Sequence, residues 1–339
     1  MTRYLSAAGI TVCVFVALFT SCAHRHDNPM DNACEILVVD YDGNTFDTES
    51  VFPQRDTLSL VPKDGVVLSE VVDLCVSPQH IYVLDANHSL SCYDRMSGEM
   101  LKYVRAIGHG TGEYIMPRAV CTKGDEVYLL YERACNVYDV GLNFKRKVSI
   151  DLIPLDFIKV DGGFLFCNLA PSENLKRLVY TDDDGNVIDS YLSSTLLIDA
   201  VMSTHCFFAD EHSDVYFAEP SSDELYLWDG QGVELCYRSV IENSFEGKPQ
   251  ATSEKEGYAY NTKWFRLGNK VVNSFLYLGN RYYNVYDTTT RASVVGQVDV
   301  TENIPFAPYW QWNDCLFGAY HEDDASSGGE RLVVTMFGL

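Results

Sequence analysis

A pattern that recurs about every 45 residues constrains the fold of this chain more than any other feature. In each copy a β-rich segment ends in an aromatic residue that an acid follows at once, as in Tyr93-Asp94, Tyr138-Asp139, Trp228-Asp229 and Tyr286-Asp287. A weaker copy contains Tyr180, and the five aromatic residues are 45, 42, 48 and 58 residues apart. Such a period is typical of repeat folds, in which each unit buries its apolar faces against its neighbours.

Each repeat contains four short β-rich segments. Another strand lies about ten residues before each aromatic-acid pair, as at 81–84 and 127–130. A turn that contains Gly or Asn follows most of the pairs. Four-stranded antiparallel units of this length are typical of propeller blades. The sequence therefore predicts an all-β, six-bladed β-propeller, with blades starting near residues 70, 115, 154, 198, 260 and 304.

The last repeat is one strand short, so a strand from the N-terminal part of the body is expected to complete it. Residues 35–39 and 57–61 are the two candidates, and either would close the ring by pairing the two ends of the chain. A seventh blade would need residues 34–66 to form a sheet alone, for which they are too few. A pair of β-sandwiches is the alternative fold.

The first 33 residues indicate export and a lipid anchor. Residues 1–21 resemble a lipoprotein signal peptide, with a short apolar run that ends just before Cys22. We expect Cys22 to carry diacylglycerol and a further acyl chain such as palmitate, 22–33 to form a tether, and 34–339 to form the propeller. An ordinary signal peptide is the alternative. Ala23 favours the outer membrane, and the side of that membrane is left open.

Charge and cysteine usage limit the possible partners. The formal net charge is −23, which argues against binding to nucleic acid. No Cys-x-x-Cys occurs, and most cysteines lie in apolar runs where they act as small buried hydrophobes. The sequence therefore predicts no zinc site and no disulfide scaffold, although a single bridge stays possible.

The first repeat resembles the NHL/TolB-like six-bladed propeller lipoproteins of bacteria. The resemblance rests on residues 81–85, on Cys92-Tyr93-Asp94, and on the run 106–114 with its Gly108-His109-Gly110-Thr111-Gly112-Glu113 segment. In that family the segment links the first two blades, and Thr111 replaces its usual proline. The resemblance implies the fold but no function, because propellers bind, scaffold and catalyse alike.

Two loops that imitate ligand motifs are expected to be structural. The run 108–113 has its third glycine one residue too early for a dinucleotide fingerprint and precedes a strand, so we interpret it as a connection between blades. The run 182–186 lacks both key carboxylates of a calcium loop. No His-Glu-x-x-His or Gly-x-Ser-x-Gly occurs. The lack of these motifs favours a protein that is not an enzyme and has no cofactor, but a catalytic site formed by residues of distant blades would leave no motif.

In a propeller, the loops after each second strand and the loops that join blades share one face, around the mouth of the central channel. We expect a ligand site there, formed by Asp85, Glu113, Glu132, Asn168 and Glu219, with the loop run 321–324 nearby. Most aromatic residues are expected between blades, whereas the two indoles of residues 309–312 are placed to reach the axis.

Three functions are consistent with these features. The leading hypothesis is a non-catalytic binding or scaffolding module that presents its channel mouth to a glycan, peptide or protein. The alternative is a Ca²⁺-dependent hydrolase or lyase such as a lactonase, with the metal held on the axis by carboxylates of several blades. The third is a structural subunit of an envelope complex.

Overall fold

The computed structural model describes residues 34–41, 45–63, 65–193, 205–244, 257–298, 304–324 and 329–339. The predicted signal peptide, the predicted lipid attachment at Cys22 and the predicted tether lie outside these residues. Three strands and one helical turn come first in the described chain: β1 (Glu35–Val39), β2 (Thr45–Phe46), α1 (Thr48–Val51) and β3 (Gln54–Leu60). No helix in the described part is long and apolar enough to span a bilayer.

Six separate sheets follow one another along the chain and form the six blades of a propeller. Blades 1 to 3 are β4 (Val71–Val76), β5 (His80–Asp85), β6 (Leu90–Asp94), β7 (Met100–Val104); β8 (Pro117–Lys123), β9 (Glu126–Tyr131), β10 (Ala134–Asp139), β11 (Phe144–Ser149); and β12 (Pro154–Val160), β13 (Gly163–Asn168), β14 (Leu178–Asp182), β15 (Val187–Tyr191). Blades 4 to 6 are β16 (Phe207–Ala209), β17 (Val215–Phe217), β18 (Glu224–Trp228), β19 (Val233–Ile241); β20 (Tyr260–Leu267), β21 (Lys270–Tyr277), β22 (Asn280–Asp287), β23 (Ala292–Val298); and β24 (Trp310–Trp312), β25 (Cys315–Asp324), β26 (Gly329–Gly338). The predicted all-β, six-bladed architecture with four-stranded antiparallel blades is confirmed.

The N-terminal part of the body closes the ring, as predicted. Strand β3 pairs antiparallel with β26, from Gln54 opposite Gly338 to Leu60 opposite Leu332, and becomes the outer strand of blade 6. The second of the two candidate segments is therefore the closing strand. The first candidate is also a strand, β1, but it pairs parallel with β19 as a fifth strand on blade 4, which the sequence did not indicate.

Four of the six predicted blade starts lie within two residues of an observed inner strand. Blade 4 has its first described strand at Phe207 and blade 6 at Trp310, so the predictions of 198 and 304 were too early. Residue 198 itself lies outside the described residues. Both inner strands are only three residues long, so their sequence pattern is too short to locate them well.

The recurring aromatic residues fill the space between blades. Tyr93, Tyr138, Trp228 and Tyr286 are all buried within clusters formed by neighbouring blades. Large rings suit this place, because the gap between twisted sheets widens with distance from the axis. The prediction that most aromatic residues lie between blades holds for these four.

The acid after each aromatic residue holds the turn that follows. Asp94 accepts hydrogen bonds from the backbone N–H groups of Met96 and Ser97, at 3.0 and 2.8 Å. Asp182 does the same for Asp184 and Asn186, at 3.0 and 2.8 Å. The run 182–186 is thus a hairpin turn between β14 and β15, as expected, and Asp182 binds its backbone.

Candidate functional site

A repeated irregularity of the innermost strands places polar side chains at the centre of the ring. In blades 1, 2, 3 and 5 this strand has a β-bulge near its start, and the residue after the bulge is Asp73, Ala119, Asp156 or Lys263. A bulge redirects the side chains next to it. Three blades therefore bring a charged group to the axis in this way.

Asp73 connects three blades through its carboxylate. One oxygen, Oδ1, accepts hydrogen bonds from the indole Nε1 of Trp310 in blade 6 at 2.7 Å and from the backbone N–H of Leu74 at 2.9 Å. The other, Oδ2, accepts one from the backbone N–H of Val120 in blade 2 at 2.7 Å. Both oxygens are thus engaged, and the side chain is 3% exposed.

The other three blades are connected by Asp156 and Lys263. Asp156 in blade 3 accepts a hydrogen bond from the backbone N–H of Cys206, at the start of blade 4. The ammonium group of Lys263 in blade 5 donates to the carbonyl of His205 at 3.1 Å. It also lies 3.6 Å from the ring centroid of Tyr309 in blade 6, a cation–π contact.

His205 lies between the two acids. Its Nδ1 is 3.6 Å from Asp73 Oδ1 and 3.8 Å from Asp156 Oδ2. We use the name axial cluster for Asp73, Asp156, His205, Lys263, Tyr309 and Trp310. With the backbone of Val120, this cluster contacts all six blades, and it brings together three of the buried ionisable residues of the described chain, Asp73, Asp156 and Lys263.

Burial changes the pKa of four side chains in the axial cluster. Burial raises the pKa of Asp73 to about 6, although the hydrogen bonds that its carboxylate accepts act in the opposite direction. Burial, followed by the charge of Asp73, raises the pKa of Asp156. Burial also lowers the pKa of Lys263 and holds that of His205 well below its usual range. All four shifts disfavour charge, because the low-polarity centre solvates ions poorly.

The raised pKa of Asp73 makes the stability depend on pH with a definite sign. Its carboxyl has an ordinary pKa of 3.8 and a pKa of about 6 in the folded chain, so folding favours the protonated form. This contribution is fully present below about pH 4 and is lost as the pH rises through about 6. As the pH rises from about 4 to about 6, the free energy of unfolding should fall less in Asp73→Asn than in the unsubstituted chain, because the asparagine side chain does not titrate. Urea unfolding along that pH range measures the difference, and identical pH slopes would contradict it.

The central channel contains a cavity of ≈ 250 Å³ whose lining includes His205 of the axial cluster. The inner strands of blades 1, 2, 3, 4 and 6 supply most of the wall, with Leu74, Val120, Phe157 and Phe207 among the apolar residues. Trp312 lines it too, under the guanidinium of Arg95 at 4.3 Å. Both indoles of 309–312 therefore reach the centre: Trp310 through its bond to Asp73, and Trp312 in the cavity wall.

Two of the predicted mouth residues are buried and hold their own loops. Asp85 is 2% exposed and accepts a hydrogen bond from the backbone N–H of Ser89 at 3.0 Å. Asn168 is 1% exposed and donates to the carbonyls of Ala170 and Lys176, both at 3.1 Å. These contacts set the shape of the loops after β5 and β13.

The other three predicted mouth residues are more accessible. Glu113 accepts a hydrogen bond from the backbone N–H of Gly110 at 2.7 Å and so folds the connection between blades 1 and 2. Glu219 is 2.7 Å from the buried guanidinium Nε of Arg177, which it neutralises. Glu132 is exposed on the turn between β9 and β10. That these five residues contact a ligand stays a prediction, and Glu132 is the one best placed for it.

One part of the predicted mouth was wrong. The run 321–324 was expected to form a loop, but it is the end of β25, which pairs with β26 as far as Asp324 opposite Gly329. Glu322 pairs with Arg331 across this hairpin. The hairpin of blade 6 is longer than those of the other blades, so its acids lie on a strand.

Sequence reasoning predicted that Trp310 reaches the axis but missed the ionisable members of the axial cluster. Asp73 and Asp156 each stand alone within an apolar inner strand, in Val-Val-Asp-Leu-Cys-Val and Pro-Leu-Asp-Phe-Ile. A lone acid at the same place in two repeats was the available signal. His205 and Lys263 had no such signal, because the contacts that define their role come from other blades.

The residues on the axis do not suit a resident calcium ion. Ca²⁺ takes six to eight oxygen ligands, whereas this axis has two carboxylates, both bonded to backbone N–H groups, with the ammonium of Lys263 beside them. Across the described ranges, no three His, Cys, Asp or Glu side chains are grouped to hold a metal.

The fold and the site together define a six-bladed β-propeller whose blades are joined at the axis by a buried polar cluster. The chain belongs to the DUF5128 family, described as "6-bladed beta-propeller", whose sequence profile matches residues 25–304. The finer NHL/TolB-like assignment stays a prediction. None of the curated proteins matches this sequence.

Two solved structures share the fold. A protein described as exported, from Bacteroides fragilis NCTC 9343, superposes with a TM-score of 0.70 at 13% identity, over 90% of this chain and 100% of that one. A member of the duf4221 family from Bacteroides vulgatus ATCC 8482 superposes with a TM-score of 0.53 at 8% identity, over 84% and 96%. At such identities the likeness extends to the fold alone.

Proposed function

We propose that this protein is a lipid-anchored propeller of the cell envelope that binds a protein or peptide partner at its channel mouth and is not an enzyme. The observation that carries the proposal is the axial cluster. Its two carboxylates and its lysine each bond to a neighbouring blade, so they serve to hold the ring together. A propeller of this kind offers a rigid face for binding.

The choice of a protein or peptide over a glycan follows from the exposed side chains. No described Phe, Tyr or Trp side chain is exposed, and sugar-binding shelves are built from exposed rings. The exposed large apolar residues on the connections between blades have no ring; they include Ile107, Met116 and Ile153. Such residues, with Glu132 and Arg133 nearby, suit the mixed chemistry of a protein surface.

The lipid anchor at Cys22 and the location in the outer membrane are part of the same proposal. They are supported by the apolar leader that ends before Cys22 and by the fold shared with a Bacteroides fragilis protein described as exported. Two acyl chains would hold the protein firmly to a bilayer.

Photo-crosslinking in intact cells tests the proposal. A benzoylphenylalanine at Ile153, on the mouth face, should give a discrete adduct with a partner protein. The same probe at Met96, on the turn between β6 and β7 at the opposite face, is the matched control and should give none. Equal labelling from both positions would contradict the proposal, as would turnover of lactones, esters or glycosides by the purified protein.

A further inference from the structure

Blades 4 and 5 each carry a parallel fifth strand at the outer edge, β1 on blade 4 and the two-residue β2 on blade 5. Strand β1 is the longer of the two, and its residues alternate in exposure. Leu37 and Val39 are buried against blade 5, at 1% and 3% exposure, whereas Ile36 and Val38 are 52% and 70% exposed on the opposite face. The strand therefore covers the core with one face and presents aliphatic side chains with the other.

These exposed side chains form a continuous patch. Val38 lies directly opposite Val240 of β19 in the register of the sheet, and Ile36 lies two residues along on the same face. Val240 is 48% exposed. A groove of ≈ 280 Å³ adjoins the patch and is lined by Val38 and Val240 among others. We call Ile36, Val38 and Val240 the edge patch. Adjoining exposed aliphatic residues of this kind mark a contact surface.

The position of β1 in the chain identifies the occupant. Only 12 residues separate Cys22 from Glu35, and a fully extended chain spans at most about 3.6 Å per residue, or ~45 Å in all. The edge patch thus lies on β1, which the shortest length of chain joins to Cys22 among the described elements. Opposite it in the ring, the outer strand of blade 1 is farther from that attachment.

The charges beside the edge patch disfavour an anionic surface, since the exposed acids Asp40 and Glu242 line the adjoining groove. Glu35 accepts a hydrogen bond from Tyr286 and is 3.9 Å from Arg291, and Arg238 pairs with Glu224. The net charge of −23 disfavours an anionic bilayer. The chemistry that fits is an apolar contact with uncharged or zwitterionic lipid.

We infer that the edge patch on blade 4 rests against the lipid surface that holds the Cys22 anchor, so that the propeller stands with blade 4 toward the membrane. This inference rests on the anchoring part of the proposed function. It goes beyond it by giving the body a fixed orientation and a second contact with lipid.

Tryptophan quenching on vesicles tests the inference with the full-length, lipid-modified chain. Val38→Trp is reconstituted into vesicles of phosphatidylcholine brominated in its acyl chains, which quench indoles that reach the lipid. Leu101→Trp is the matched control, because Leu101 is an exposed residue on the outer strand of the opposite blade. The four native tryptophans are buried or half-buried and give a constant background. We expect quenching at position 38 to exceed that at position 101 at least about twofold.

Separate readouts distinguish failure of the inference from failure of the anchor. Co-flotation of the protein with vesicles reports anchoring. If the protein floats but positions 38 and 101 are quenched equally, the orientation is wrong and the anchor stands. If it does not float, the anchor fails and the inference with it. If iodide cannot reach Trp at position 38 in the absence of vesicles, a second copy of the chain covers the edge patch, which also overturns the inference.

Discussion

Replacing Asp73 by alanine should lower the free energy of unfolding by about 3–5 kcal/mol, the loss expected when one partner of a buried, charged network is removed. The substitution removes the acceptor for Trp310 in blade 6 and for the backbone of Val120 in blade 2. It also deprives the buried ammonium of Lys263 of one of its two nearby acids. Blade 1 then loses its polar connections to both neighbours at the axis.

Urea unfolding followed by tryptophan fluorescence measures this loss. Asp151→Ala is the matched control, since that acid is fully exposed and pairs with Arg133 on the surface, and exposed pairs contribute about 0–1 kcal/mol. Asp73→Asn should fall between the two, because an amide keeps the size and one acceptor but presents a donor to Val120. A loss for Asp73→Ala no larger than that of the control would show that the axial cluster does not hold the blades.

The strand that closes the ring should be nearly as sensitive. Leu60 on β3 is 1% exposed and packs between blades 6 and 1. Leu60→Ala should cost about 2–5 kcal/mol, since it removes a fully buried side chain and leaves a cavity that the rigid blades cannot collapse. Because β3 joins the two ends of the chain, we expect the whole propeller to unfold at lower temperature in one transition.

The neighbouring residue provides the control for this experiment. Val61 is 52% exposed, so Val61→Ala should change the free energy of unfolding by less than about 0.5 kcal/mol. Calorimetry of both variants makes the comparison. An early transition limited to blade 6, with the remaining blades melting at the original temperature, would show that ring closure does not support the whole fold.

The parts of the fold that were predictable are those whose cause lies within one repeat. The pair Tyr93-Asp94 shows why: the ring fills the space between blades, and the acid accepts hydrogen bonds from backbone N–H groups two and three residues later. Both requirements are local, so they return in every blade and leave a period in the sequence. The end of β25 was misplaced because polar residues within an unusually long hairpin have the composition of a loop.

The candidate site was less predictable, because its members meet only after the ring closes. Asp73 and Trp310 are 237 residues apart in sequence and 2.7 Å apart in space. A pattern that repeats in each blade does not specify which residues of different blades come into contact. The five predicted mouth residues were chosen by loop position, and the structure engages four of them in holding loops or a buried arginine.

The order of hydrophobic and turn residues by itself determined that this chain forms six small sheets, since each sheet has apolar faces that only a neighbour can cover. The tertiary structure alone decided what lies at the centre and which two edges carry a fifth strand. Long-range hydrogen bonds of Asp73, Asp156 and Lys263 and the docking of β1 on blade 4 depend on distances set by ring closure, and no short stretch of sequence encodes such distances.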